Sequence, residues 1–405
     1  MSRLRLPIFT GLVLLGLVVA SLAWVSRWRP LHSEPGPTPD LRIEGWRALE
    51  GVVHVHTRAS DGGGTVHDVV RAARTSGLDF VVLTDHNVLD DREMAGDYGG
   101  VLVLGGVECT VPQGHVIFFD LPPAPLVGVE ERGPELLAAL QPVRTPVIAH
   151  PTNRVRPWRG EWISGAGIEL ISADSQWRGR SALELGAAIL ALPFVRSWAF
   201  ASLVRPPTEA LKIWQELPRP VAIIGSVNAH SLLELPGGRE WRFPRYEDLF
   251  ALIQTRAYLP EETPDDPSSR LLALRQALEA GRVDVTLPAF GRPPTVRFVV
   301  EDAGPVGERE VVGGIVVRSP ERELHASVPH SGVPIRFTLW RNGERYGQVE
   351  SPGIPRFDLS DPPAGAWRVQ VEQVRPSRFG ARYLPWVYTN EIHVVEADSG
   401  SLSVE

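Results

Sequence analysis

The run Gly51-Val52-Val53-His54-Val55-His56-Thr57, followed closely by Ser60-Asp61-Gly62-Gly63, decides how this sequence reads. A β-branched stretch bounded by turn residues predicts a strand, here over 51–57. Side chains alternate along a strand, so residues i and i+2 share a face. His54 and His56 therefore present two imidazoles together at a strand end, a two-toothed grip for a metal ion. Asp61 follows in a glycine-rich turn. One His-x-His pair is weak evidence, because a satisfied core histidine explains either residue equally simply.

Working outward, the arrangement recurs. A second strand, predicted over 79–85, ends in Thr84-Asp85-His86-Asn87. A third, over 101–108, ends in Gly106-Val107-Glu108. His115 follows Gly114 at the start of an apolar run. A strand over 147–150 ends in His150-Pro151, another is predicted over 167–171, and one over 221–226 leads into Asn228-Ala229-His230. Helices are predicted over 65–76, 135–140, 246–255 and 268–280, with Gly281 placed for a helix C-terminal cap. Strands alternating with helices give an α/β fold, and the strand ends of a parallel barrel share one face, where active sites sit. Five strand ends that each deliver a histidine or a carboxylate exceed what core packing calls for. Imidazole mixed with carboxylate oxygens suits a divalent cation such as zinc, manganese or iron. By alternation Cys109 faces away from Glu108, as a buried structural thiol.

Composition narrows the alternatives. A chain of 405 residues holds about two domains. The net charge of −7 leaves no basic footprint and argues against duplex nucleic acid as a partner. The lone cysteine excludes an intrachain disulfide and a cysteine-based zinc site. Of eleven histidines, those at 54, 56, 86, 115, 150 and 230 fall in the motifs. His32, His67, His325, His330 and His393 need no site.

The first 29 residues read as a membrane anchor or a signal segment. Arg3 and Arg5 precede an uncharged run from Leu6 to Ser26, closed by Arg27 and Arg29. Twenty-one helical residues span about 31 Å, close to the hydrocarbon core of a bilayer. Trp24 and Trp28 suit an interface and favour an uncleaved anchor, with the body periplasmic or extracellular. Residues 30–46 read as a linker. Residues 182–206 form an apolar helical insert, either buried or resting on a bilayer. From 284 to 405 the texture changes to short strands over 295–301, 314–318, 335–340, 367–372 and 391–395. Asn342-Gly343 is a hairpin signal, and the region reads as a small all-β, Ig-like sandwich.

The ordered motifs over 50–283 resemble the PHP family, the metallohydrolases named after a polymerase domain and histidinol phosphatase. The Gly106-Val107-Glu108-Cys109-Thr110 strand end with Gly114-His115, and Tyr388-Thr389-Asn390-Glu391-Ile392 near the C-terminus, resemble its carbaryl-hydrolase-like (CehA/McbA) branch. The resemblance implies a distorted (β/α)₇ barrel over 47–283. It implies one metal on His54, His56, Glu108 and residue 228, and a second sharing Glu108 with His115 and His150. A third would take Asp61, His86 and His230. A carboxylate shared by two cations makes a water between them a strong nucleophile. His86 and His230 are also candidates for proton transfer to the leaving group. Asp85 reads as an orienting or proton-accepting residue, or as a helix cap. Arg154 and Arg156 read as phosphate-binding arginines or as solvated loop residues. Trp158, Trp162 and Trp177 read as a pocket for an apolar leaving group or as packing around the insert.

Three functions remain open on the sequence. One is a phosphoesterase acting on a phosphomonoester, a nucleotide or a nucleic-acid end. Another is an amide, ester or carbamate hydrolase. The last is a metal-binding surface module with impaired catalysis. In each the partner is a small molecule, with the membrane contacted through the N-terminal helix and no protein partner inferable. The last reading arises because the family pattern carries aspartate where this chain has Asn228, which can ligate through its carbonyl but carries no charge and cannot act as a base. Asn228→Asp is therefore expected to raise kcat on para-nitrophenyl phosphate roughly tenfold or more. Steady-state kinetics with manganese or zinc check this, and an unchanged kcat places proton transfer elsewhere.

Overall fold

The computed structural model describes residues 5–30, 42–88, 94–119, 145–218, 220–302, 309–329, 331–351, 353–377 and 380–396. The helix expected over 135–140, most of the linker, His32 and His330 lie outside the described residues.

Strand β1 (Trp46–Val55) is the hub, with Val52, Val53 and Val55 fully buried. It runs parallel to β2 (Phe80–Leu83), which runs parallel to β3 (Leu102–Val111). The chain turns back at Gly114, and β4 (Gly114–Phe119) is antiparallel to β3 and to β5 (Val147–Ile148). A two-residue connection can only make a hairpin, since a parallel crossover needs a dozen residues or more. The uniformly parallel order expected from the sequence is thus interrupted at β4. Pairing then continues in parallel through β6 (Gly167–Ser172) to β7 (Ile223–Ser226). It returns to its start: the amides of Val227 and Ala229 donate to the carbonyls of Val53 and His54 at 3.1 and 3.0 Å, and His56 N donates to Ala229 O at 3.0 Å. The ends of β1, β2, β5 and β7 therefore lie together with the part of β3 around Glu108.

Helix Val66–Thr75 starts with a Thr65–Asp68 capping box, and Val69, Val70, Ala72 and Ala73 form its buried face. Helix Pro267–Glu279 is capped by Asp266, and Gly281 at φ +69° follows its end as expected. The helix predicted over 246–255 is shorter. It stops at Phe250, and β8 (Gln254–Pro260) follows, antiparallel to β1 and to β9 (Val283–Thr286). Pairing between two strands, with Ala257, Tyr258 and Leu259 buried, outweighs the helical pattern of the preceding residues.

The insert forms helices Ala182–Ala191 and Arg196–Ala201. Ala188, Ala191, Ala199 and Leu203 pack on Val25, at the end of the N-terminal helix Arg5–Val25. One N-terminal stretch, Thr10–Trp28, is long and apolar enough to cross a membrane. Trp28 lies beneath the guanidinium groups of Arg205 and Arg382, at 4.8 and 4.1 Å.

In the C-terminal region strands Arg297–Asp302, Arg322–Ser327 and Arg356–Ser360 pair antiparallel. Strand Ile335–Arg341 pairs with Glu344–Ser351 through the expected turn, where Asn342 and Gly343 have φ of +51° and +77°, and with Gly365–Ser377. Phe298, Leu324, Phe337, Leu339, Trp367 and Val369 share one core. Hydrogen bonds cross residue 284: β9 pairs with strand Gly380–Thr389. Asn390 then reaches into β7. Its Oδ1 accepts from Ile223 N at 2.7 Å, and its Nδ2 donates to the carbonyls of Ile223 and Val283 at 2.8 Å. Asn390→Ala strands these buried backbone groups. It is expected to destabilise the protein by about 2–4 kcal/mol in equilibrium denaturant unfolding. It should also weaken metal binding, because β7 leads directly into Asn228 and His230.

Candidate metal centre

Five imidazoles converge on one carboxylate. Glu108 Oε1 lies 2.7 Å from His115 Nδ1 and 3.0 Å from His150 Nε2. Its Oε2 lies 2.9, 3.3 and 3.4 Å from the Nε2 atoms of His54, His56 and His86. Glu108, His54 and His56 are fully buried. Asp61, more exposed, forms a second focus: its carboxylate lies 3.2 Å from His230 Nε2, 3.4 Å from His56 Nδ1 and 3.7 Å from His86 Nε2. Asn228 Oδ1 sits 3.1 Å from His56 Nε2. All nine residues expected to hold metal are thus gathered in one place. Three subsets bring their donor atoms within 4.8 Å of one another: His56, Asp61, His86 and His230; His54, His56 and Glu108; and His86, Glu108 and His115.

The backbone bends to achieve this. His54, His150 and Asn228 adopt φ of +70°, +30° and +44°, and neighbouring Asn87 and Ser231 +52° and +48°. Left-handed conformations cost non-glycine residues of order 1–3 kcal/mol each and persist where the surroundings over-determine them. The register of β1 on β2 breaks between Val52 and Val55, at His54. His54 and His56 share a target through this irregularity, not through the flat alternation that the sequence suggested.

Three buried or partly buried carboxylates, Glu108, Glu169 and Asp61, carry the charge balance. Burial opposes ionisation of Glu108, yet His54, His115 and His150 hold its carboxyl well below the usual range. Asp61 is likewise depressed against its own burial, chiefly by His230. Burial would lower His54, but Glu108 and Glu169 on either side raise it to about 10. His56 is pushed down to about 4 by burial and by His230. Burial lowers His86, whereas Glu108 raises His150 and Asp61 raises His230 in spite of burial.

These residues fit divalent metal ions. Imidazole and carboxylate donors crowd together, and His56 Nδ1, His86 Nδ1 and His150 Nδ1 are buried without hydrogen-bond partners. Glu169 completes the pattern. Its Oε1 takes His54 Nδ1 at 2.6 Å and its Oε2 accepts from His150 N at 2.6 Å. A carboxylate behind one ring nitrogen fixes the tautomer and frees the other nitrogen for a metal. Sequence reasoning missed Glu169, although an acid inside the apolar strand Gly167–Ser172, itself fully buried, is the signal that could have found it.

Two expectations are corrected. Asp85 is not placed for catalysis. Its oxygens accept from Thr57 N and Thr57 Oγ1 at 2.8 and 2.7 Å, and from Ser60 N and Ser60 Oγ. It shapes the loop that presents Asp61. Arg154 lines a separate depression with Glu169 and Arg180, while Arg156 lines the cleft over the cluster and its Nη1 donates to His115 Nε2 at 3.2 Å. Asn153 Oδ1 accepts from the amides of Val155 and Arg156, and this turn swings the second arginine inward. Asp174 and Arg178 also line the cleft, paired at 2.5 Å, and were not foreseen. Of the three tryptophans only Trp177 reaches the adjoining cleft; Trp158 and Trp162 pack against the core. Cys109 lies among Val107, Val111, Val116 and Phe118, and burial pushes its thiol up to about 12.

No family model and no curated protein matches the chain. Among solved structures it is similar to a two-domain protein containing a predicted PHP-like metal-dependent phosphoesterase from Bacteroides vulgatus, at 14% identity and a TM-score of 0.39, over 90% of this chain and 99% of that one. It is also similar to an amidohydrolase from Chromobacterium violaceum with bound sulfate, at 15% identity and a TM-score of 0.24, over 48% of this chain and 92% of that one. Both likenesses are distant, and the functional reading rests on the geometry of the site itself.

Two outcomes are expected. Glu108→Gln removes the shared anion and should lower bound metal by at least one equivalent in elemental analysis. Glu108 and Glu169 raise His54, so it is expected to hold a proton at pH 7 in the metal-free protein, and metal binding should then release protons and tighten as pH rises. Calorimetry in buffers of different ionisation enthalpy reads the release. The sign for the metal-free fold is opposite. The stabilisation from charged His54 is complete below its ordinary value of 6.5 and is lost as pH rises toward about 10.

Proposed function

We propose that the chain is a PHP-type, metal-dependent hydrolase acting on phosphoesters. The observation that carries the reading is Glu108, shared by five imidazoles beneath a cleft of about 390 Å³ that Arg156 and Arg178 line. His54, His56, Glu108 and Asn228 would hold one cation, His115, His150 and Glu108 a second, and Asp61, His86 and His230 a third. Bound divalent cations would supply Lewis acidity and lower the pKa of water at the site. Arg156 and Arg178 offer planar guanidinium donors that match phosphate oxygens. His230, poised between Asp61 and Asn228 O, is the group best placed to hand a proton to a leaving oxygen when it is not itself engaged by a cation. Glu169 and Asp85 act through others, by holding His54 and the loop before Asp61.

The strand pairing that returns to β1 supports a distorted barrel of seven strands, and the two C-terminal sheets around one core support a sandwich. The N-terminal helix supports anchoring, with the body periplasmic or extracellular. A second reading, a metal-binding module without turnover, rests on Asn228, whose neutral amide faces His56 where a carboxylate would carry charge.

The full chain, loaded with manganese or zinc, is expected to cleave para-nitrophenyl phosphate faster than the bis-phosphodiester or the acetate, and to stop on chelation. Arg156→Ala should raise KM for the phosphomonoester about tenfold, as loss of a charged hydrogen bond predicts. Preference for the acetate would turn the reading to acyl transfer. Full metal occupancy without turnover of any ester would support the module.

A further inference from the structure

We infer that the ester cleaved here carries a hydrocarbon chain, which lies in an apolar cavity beside the metal centre; this rests on the phosphoester reading above. The cleft over the cluster continues into an outer cleft of about 730 Å³, since Asp61, Asp174, Arg178, Asn228 and His230 line both. The outer cleft in turn shares Trp177, Pro244 and Leu249 with a cavity of about 130 Å³. The cavity's other walls are almost wholly hydrocarbon, from Leu185, Ala188, Ile189, Leu192, Phe200 and Leu203. Trp177 divides the two environments. Its Nε1 donates to Asp174 Oδ1 at 2.9 Å on the polar side, while its ring lines the apolar one. An apolar cavity of roughly 150 Å³ stays dry and takes up a benzene-sized guest, so this one suits a short alkyl segment.

Among the described residues only one helix separates the cavity from the protein surface. Ile189 belongs to its wall and is 61% exposed, so the wall is a single helix thick at Ala182–Ala191. Leu183 on that helix is 87% exposed, and Phe194 just beyond it 63%. A helix apolar around most of its circumference has no reason to face water. Its other flank carries the N-terminal helix, against which Ala188 and Ala191 pack with Val25. The apolar cavity, the exposed helix and the candidate membrane span are thus contiguous, and the polar end of the same path is the histidine–carboxylate cluster. That sequence of environments matches an amphiphilic phosphomonoester, phosphate inward and chain toward the bilayer. Hydrolysis breaks the P–O bond to the alkyl oxygen. Water supplies the new oxygen on phosphorus, one of its protons goes to the leaving alkoxide, and the products are an alcohol and inorganic phosphate.

The test uses the full chain in phosphatidylcholine nanodiscs, with ethyl, butyl and hexyl phosphate and release of inorganic phosphate as readout. Each methylene taken into the cavity should lower KM by about fourfold. KM is therefore expected to fall at least tenfold from ethyl to hexyl phosphate with little change in kcat. Ala188→Phe fills the cavity and should flatten the series while leaving KM for ethyl phosphate unchanged. Ile189→Glu, at an exposed position, gives the same readout should the larger residue disturb folding. Calorimetric binding of hexanol to the metal-free protein should be saturable and lost in either variant. Turnover of ethyl phosphate with a flat series, or hexanol binding unaffected by both variants, overturns the chain site and leaves the phosphoesterase standing. No turnover of any phosphate ester overturns both. Phosphatidic acid placed in the nanodisc distinguishes the source. Its cleavage along with hexyl phosphate identifies a bilayer lipid, and cleavage of hexyl phosphate alone a soluble amphiphile, either of which upholds the chain-bearing substrate.

Discussion

A carboxylate buried without countercharge is among the costliest groups a protein can hold, and Glu108 is fully buried. Its ionised form is tolerable only because imidazoles stand at both oxygens. Much of the nearby structure serves that requirement. Strands β1, β5 and β7 must end, and β3 must pass, within reach of one point, His54, His150 and Asn228 must accept left-handed backbone, and β1 must lose register on β2. Removing any partner leaves an uncompensated charge or a stranded ring nitrogen, so the strain is retained by the groups it positions.

The centre is supported from behind as well as from the front. Glu169 fixes His54 and the amide of His150; Asp85 fixes the loop that carries Asp61; Tyr246 OH donates to His56 O at 2.8 Å. Asn390 extends this support to the far end of the sequence by closing the backbone of Ile223. The C-terminal strands are therefore joined to the strands that carry the candidate ligands by the same hydrogen-bonded sheet. Their relation is more intimate than that of an appended module, and it gives the Thr389-Asn390 pair a physical role.

Polarity is arranged in an order that runs from charge to hydrocarbon. The cluster, the arginine-lined cleft, Trp177 and the cavity under helix Ala182–Ala191 follow one another. The N-terminal helix packs on the outer side of that helix. Each boundary is made by one amphipathic group, Arg178 with Asp174 at the first and Trp177 at the second. Under the proposed reading, such a gradient would orient an amphiphilic ester with its polar end toward the cluster.

Much of the centre was legible in the sequence because strand ends announce themselves. A β-branched run followed by a turn residue locates the end, and a polar residue there has few structural uses. That logic picked out His54, His56, His86, Glu108, His150 and His230, which the structure brings together, whereas Asp61, His115 and Asn228 entered through the family resemblance and the N-terminal helix and the Asn342-Gly343 turn through hydropathy and turn chemistry. It could not distinguish Arg154 from Arg156, because the turn made by Asn153 decides which one faces inward. It assigned chemistry to Asp85, whose hydrogen bonds to Thr57 and Ser60 appear only when two loops meet. It passed over Glu169, which acts through His54 across 115 positions of sequence, and it extended a helix over β8, whose partner β1 lies two hundred residues away. The sequence by itself determined which residue types would gather at strand ends, since local alternation and turn chemistry fix that. Only the tertiary structure decided which carboxylate would be shared and which would merely support. That choice depends on burial and on partners brought together from distant strands.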